Sequence, residues 1–173
     1  MKRSSINPMP DFFDRYINLV KEDDLFQAFE NSTQAIEKID TEKIKKIGSK
    51  IYQPGKWTLN DIFQHIIDNE RIQSYRALRF ARKDTTPLPG YDEELLGKNS
   101  LAVNRNIDDI LEELLTVRKS TIQLYKSFDL TVIQNTGICF NQTVSVLAIA
   151  FVIIGHQTHH LNVIRERYEP LIK

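Results

Sequence analysis

Three of the chain's four histidines fall within five residues, in Gly155-His156-Gln157-Thr158-His159-His160. Residues four apart on a helix are separated by roughly 40° at ~100° per residue, so His156 and His160 project together. Two imidazoles at that spacing can grip one metal ion. The fourth histidine, His65, lies in Asp61-Ile62-Phe63-Gln64-His65-Ile66-Ile67-Asp68, on an inward stripe between Ile62 and Asn69. A lone histidine on an apolar face is usually a satisfied core residue, but these four occupy two windows that can face each other. Three neutral nitrogens leave a coordination position open, which is how catalytic rather than structural metal sites are built. His159 points ~60° from His156, on the side away from His160. It can replace His160 as a ligand or hydrogen-bond at the edge of the site, and spacing leaves both open.

The residue after His156 is Gln157, where zinc proteases of the HExxH type carry their glutamate base, so that chemistry is disfavoured. Asp68, one turn beyond His65, is the nearest candidate to orient a ligand or take a proton, although such a residue is more often a surface acid. Glu70 points away from His65. Arg118 reaches either a buried acid or an anionic substrate, the acid being the plainer reading. Cys139, the single cysteine, reads as a small hydrophobe before it reads as a nucleophile. Trp57 reads as a packing anchor, and Tyr91 and Tyr125 as core fillers or pocket walls.

These groups need elements to hold them, and helical periodicity dominates the chain. Met9 to Ile39 reads as an interrupted helix, or a short helix followed by a long one. Asp40 to Trp57, with Gly48, Pro54 and Gly55, reads as a connection. Thr58-Leu59-Asn60-Asp61 has the form of a capping box, opening a second helix that runs to about Lys83. Thr86-Pro87-Leu88-Pro89-Gly90 ends it, and Asp84 to Asn106 is a long crossover that lets its flanking helices lie parallel. A third helix carries Ile107 through Phe128. Asp129 to Gln142 reads as a loop or short extended piece, and a fourth helix runs from about Thr143 to Tyr168. The fold class is therefore all-α: one domain over residues 1–173, a four-helix bundle with a long crossover between helices two and three. His65 and His160 each lie roughly 11 Å from their own helix ends at ~1.5 Å per residue, so antiparallel packing brings the imidazoles to one level.

With 23 basic and 23 acidic residues in 173, the formal charge is zero, and no global field points to nucleic acid or to an acidic membrane. Arg76, Arg79, Arg82 and Lys83 read as a solvated helix end whose cations complement the dipole. The apolar run Val146 to Gly155 is about half of the ~20 residues a spanning helix needs. A single cysteine and a charged start without a signal-like apolar core point to a soluble protein of a reducing cytoplasm.

Several of these pieces, in order, carry a family resemblance. They are Lys56-Trp57-Thr58-Leu59 leading into His65-Ile66-Ile67-Asp68-Asn69-Glu70-Arg71, then Leu88-Pro89-Gly90-Tyr91-Asp92 and Arg118. Gly155 to His160 follows, leading to Glu166-Arg167-Tyr168. The chain resembles the DinB-like superfamily of four-helix metalloenzymes, which includes YfiT-like and bacillithiol S-transferase branches. The resemblance implies metal ligands at His65, His156 and His160, a divalent ion such as zinc or nickel, and a homodimer. It also implies a small-molecule substrate; the leading reading is a metal-dependent S-transferase acting with a low-molecular-weight thiol, and hydrolysis by a metal-bound hydroxide is the second. A non-catalytic metal-binding or interaction bundle is the remaining alternative.

Overall fold

The structure is a computed structural model that describes residues 1–172. Four long helices form the bundle: α2 (Leu25–Glu37), α4 (Leu59–Ala81), α6 (Ile107–Lys126) and α7 (Val146–Val163), the last continued by a π-helical turn over Ile164–Tyr168. Shorter pieces fill the connections: α1 (Asp14–Ile17), α3 (Thr41–Ile47), α5 (Glu93–Asn99), and a hairpin of β1 (Thr136–Cys139) and β2 (Gln142–Ser145). The sequence fixes the helix starts chemically. The Asp24 carboxylate accepts from the amides of Phe26 and Gln27, and Asn106 accepts from Asp108. Ser145 accepts from Ala148, while Thr58 and Asp61 form the expected capping box. Each cap satisfies amides that have no partner in the first turn.

The long crossover serves the topology for which it was expected. At the start of α4, Asn60 donates to the carbonyls of Ala102 and Arg105, just ahead of α6; farther on, Ser74 meets Thr121 at 3.0 Å. The two helices therefore run parallel, and the chain must return the length of the bundle between them. Helix α7 runs antiparallel to α4: the Tyr168 hydroxyl donates to the Trp57 carbonyl at one end, and Asn135 donates to the Ala81 carbonyl at the other.

Two connections hold more structure than the sequence suggested. Residues 40–57 are not only a connection: Asp40 caps α3, Ile44 and Ile47 are buried, and Gly48 at φ 60° ends the helix. Two buried positions are too few to raise a periodic signal. The segment before α7 is a two-residue hairpin with Phe140 and Asn141 at positive φ, the geometry that matches strand twist. That strand pairing takes Thr143 out of the helix expected there, so α7 starts at Val146. The hairpin also secures the crossover, because Leu88 donates to the Ile138 carbonyl and accepts from the amide of Phe140.

Helix α7 is buried all round over Val146 to Gln157. By length and composition, Val146–Leu171 could cross a membrane, yet 67% of its apolar window lies inside the bundle. The buried apolar residues form two clusters. One surrounds the first half of α7 with Ile17, Phe29, Phe80 and Tyr125; the other joins Ile62 and Ile66 of α4 to Ile110, Leu114 and Tyr168. A polar layer lies between them. Arg118, 0% exposed, donates from Nε and Nη2 to both oxygens of Glu70 (2.9 and 2.8 Å), and to Gln157 Oε1 at 2.8 Å. It also donates to Ser32 Oγ, and Gln157 Nε2 donates to the Ser32 carbonyl at 2.8 Å. One network thus touches all four long helices.

Candidate metal centre

The antiparallel pairing of α4 and α7 brings His65 opposite His156 and His160. His65 Nε2 lies 3.0 Å from His156 Nε2, which lies 3.1 Å from His160 Nε2. One ligand nitrogen from each ring falls within 4.8 Å of the others. Ligand bonds of ~2.0–2.1 Å at a tetrahedral angle put donor nitrogens ~3.3 Å apart, so the 3.0 and 3.1 Å pairs suit a common cation, and the His65–His160 pair, within 4.8 Å, needs only ring rotation to join them. The donor chemistry agrees. Three imidazoles converge with no acid among them, and a nitrogen facing two others can satisfy at most one through a shared proton. The residues present fit a divalent ion bound through His65, His156 and His160.

Burial keeps these rings neutral. Desolvation, helped by the charge of His159, lowers His65 to about 4. Desolvation, with His65 and His159, lowers His160 to about 3. His156 is pushed well below its ordinary value, by burial first and then by its histidine neighbours and Arg15. Each ring therefore offers a lone pair at neutral pH without first losing a proton.

The surrounding residues hold the rings in place. Trp57 packs on His65 with ring centres 4.7 Å apart, and its Nε1 donates to Glu94 of α5 at 3.1 Å. Tyr16 meets His156 edge-on at 5.3 Å and His159 at 5.7 Å. Gly155 permits that approach: a Cβ built there would lie 1.9 Å from the Tyr16 carbonyl oxygen. His159 stays outside the three-nitrogen group, beside Tyr16 and Arg15.

The structure places the remaining residues singled out in the sequence. Asp68 accepts from Gln64 Nε2 at 2.9 Å, on the flank of α4 where Gln64 also accepts from Arg105. Arg118 has its buried acid, Glu70. Gln157 belongs to that same layer, which gives a packing reason for an amide there. Cys139 is fully buried in β1, and burial raises its thiol pKa. Tyr125 is a core residue whose hydroxyl donates to the Val146 carbonyl, whereas Tyr91 lines a cavity and accepts from Asn69 at 2.7 Å.

Sequence reasoning missed several groups at the site. A cavity of about 290 Å³ opens beside His156, and another of about 230 Å³ beside His159 and His160. Glu93, at the start of α5, lines both. No spacing signal reaches Glu93, because the crossover alone carries it there. The expectation that Arg76 belongs to a solvated cluster is wrong: it is 4% exposed and lines the larger cavity with Asn69 and Gln73. These three continue the stripe of His65 at i+4, i+8 and i+11, a pattern that could have found them.

With the fold and the three-histidine geometry in hand, comparison with known proteins gives the family. The model of the DinB superfamily matches residues 25–164. The chain belongs to the DinB superfamily. Among solved structures, it is similar to YfiT from Bacillus subtilis, with a TM-score of 0.63 and 16% sequence identity, over 90% of this chain and 85% of that one. YfiT is described as a probable metal-dependent hydrolase with an unusual four-helix bundle topology. At that identity the likeness establishes a shared fold. No curated protein sequence matches the chain significantly.

Proposed function

We propose that this chain is a metal-dependent hydrolase of small molecules, with His65, His156 and His160 as the ligands of a divalent ion. The observation that carries the reading is the convergence of two buried imidazoles and one half-buried one, all neutral, beside a cavity. Zinc or nickel suits such a donor set. When bound, the ion supplies Lewis acidity, polarising a carbonyl-type oxygen and lowering the pKa of water. The protein's own part is to hold the rings, exclude bulk water and move a proton. Trp57 packs on His65 and Tyr16 on His156, which limits rotation of both rings. Glu93, which lines both cavities, would accept a proton from the nucleophile and return it to the leaving group. Asp68 is already bonded to Gln64, so it serves better as a support for α4 than as the base. His159, at the edge, is a second proton carrier.

Thiol transfer is a second reading, favoured by one observation: among the described residues Glu93 is the only acid lining both cavities, and it is solvent-exposed. A thiol that ionises readily needs less help from a protein base than water does. Metal analysis of the purified chain beside His65→Ala tests the centre. Equimolar zinc or nickel in the parent and loss in the variant are expected, and equal content in both overturns the assignment. Metal-dependent cleavage of small esters and amides, against conjugation of small thiols to a bimane electrophile, separates the two chemistries.

A further inference from the structure

Among the described residues two arginines are deeply buried, and one of them has no carboxylate partner. Arg118 is held by both oxygens of Glu70. Among the described residues Arg76, 4% exposed, makes one hydrogen bond, from Nη2 to the Pro89 carbonyl at 2.8 Å, and no ion pair. A buried cation without a countercharge is costly, and a fold keeps one where something else supplies the charge. Arg76 lines the 290 Å³ cavity that also holds His156.

The neighbouring polar groups are also incompletely used. Asn69 is 7% exposed; its Nδ2 donates to Tyr91 and its Oδ1 has no partner. Whichever way the amide is turned, one polar end is left over. Gln73, 2% exposed, comes next on the same stripe. Around these three stand aromatic walls from Tyr16, Tyr91 and Phe140. The nearby acids do not fill the gap: Asp92 caps α5 by accepting from Leu95 at 3.0 Å, and Glu93 is exposed.

We infer that this cavity is the substrate pocket and that Arg76 binds a carboxylate on the substrate. This deepens the proposed function and rests on it for the location of the reacting bond. A guanidinium fork suits a planar carboxylate bound through both oxygens. The stripe from His65 through Asn69 and Gln73 to Arg76 spans ~16 Å of α4 at ~1.5 Å per residue. The carboxylate therefore lies several bonds from the group that reacts near His156. Between them runs an apolar or aromatic body along the walls, with an N–H or O–H donor for the spare Asn69 oxygen. The substrate class is a small, elongated carboxylic acid carrying a hydrolysable group at its far end.

The test is calorimetric titration of the full chain, stripped of metal with a chelator, with 4-phenylbutyrate and with its uncharged amide. The acid is expected to bind at least tenfold tighter than the amide. Arg76→Gln should remove at least tenfold of the acid's affinity and leave the amide's unchanged; Arg76→Lys should recover part of it, because an ammonium keeps the charge and loses the fork. Gln73→Leu, which keeps the cation, should cost several-fold and keeps the test alive if Arg76→Gln does not fold. Equal affinity for acid and amide, unchanged binding in Arg76→Gln, or preference for inorganic phosphate over the acid would each overturn the inference. Metal content of the same preparations, read before stripping, separates the two conclusions: acid binding by a chain that carried no metal fails the metal centre alone, and a chain that carried metal without binding the acid fails the pocket alone.

Discussion

Replacing Glu70 by Gln tests whether the buried layer holds the four helices together. The side chain keeps its size, but the Arg118 guanidinium, 0% exposed, loses its only countercharge among the described residues. Of the two bonds at 2.9 and 2.8 Å, one survives as a neutral contact, while the other becomes two N–H groups facing each other. Bonds to charged groups contribute about 1.5–3 kcal/mol each, and removing one partner of a buried pair costs about 3–5 kcal/mol. Native stability is only ~5–15 kcal/mol, so this single atom change takes a large share of it. With a urea slope of ~2 kcal/mol per molar, the unfolding midpoint should fall by about 1.5–2.5 M. The assay is urea unfolding of metal-free protein followed by far-ultraviolet circular dichroism. The double variant Glu70→Met with Arg118→Met should be less destabilised than Glu70→Gln, because it removes the charge along with its partner. A Glu70→Gln midpoint within 0.5 M of the parent, or a double variant weaker than the single, would refute the account.

Other consequences are checked more simply. In metal-free protein, His65, His156 and His160 have folded-state pKa values below the ~6.5 of an unfolded chain, so the unfolded chain binds more protons in acid. Their contribution is complete above pH 6.5 and is lost as pH falls through about 4 for His65 and about 3 for His160. Near pH 5 the expected slope is ~4 kcal/mol per pH unit for three such groups; urea midpoints at pH 7 and pH 5 measure it, and His65→Ala should flatten it by about a third. Gly155→Ala would drive a methyl into the Tyr16 backbone, costing about 3 kcal/mol and loosening Tyr16 from His156; a Tm equal to the parent's contradicts that packing. Gln157→Glu removes the donor to the Ser32 carbonyl and puts a second acid on Arg118. It should cost about 1–3 kcal/mol with metal content unchanged, read by the same unfolding and metal assays.

What could be read from residues alone was whatever depends on short range. The capping box at Thr58 and Asp61 is a property of four consecutive residues, and it opens α4 as expected. The i, i+4 relation of His156 and His160 follows from helix geometry, and so does the inward stripe that carries His65. The bulk of Asp84 to Asn106 was enough to imply a return path, hence parallel α4 and α6. Groups meeting across the bundle were decided elsewhere. His160 rather than His159 joins the cluster because of the face that α7 turns to α4, and sequence spacing does not contain that packing. Arg76 looks like one of several surface cations in the chain, yet the hairpin and the Leu88 to Tyr91 loop close over it. Gln157 looked like a missing catalytic acid until Arg118 and Ser32, 39 and 125 residues away, supplied its partners. Local pattern fixes which way a side chain faces on its own helix; what it faces depends on packing between segments distant in the chain.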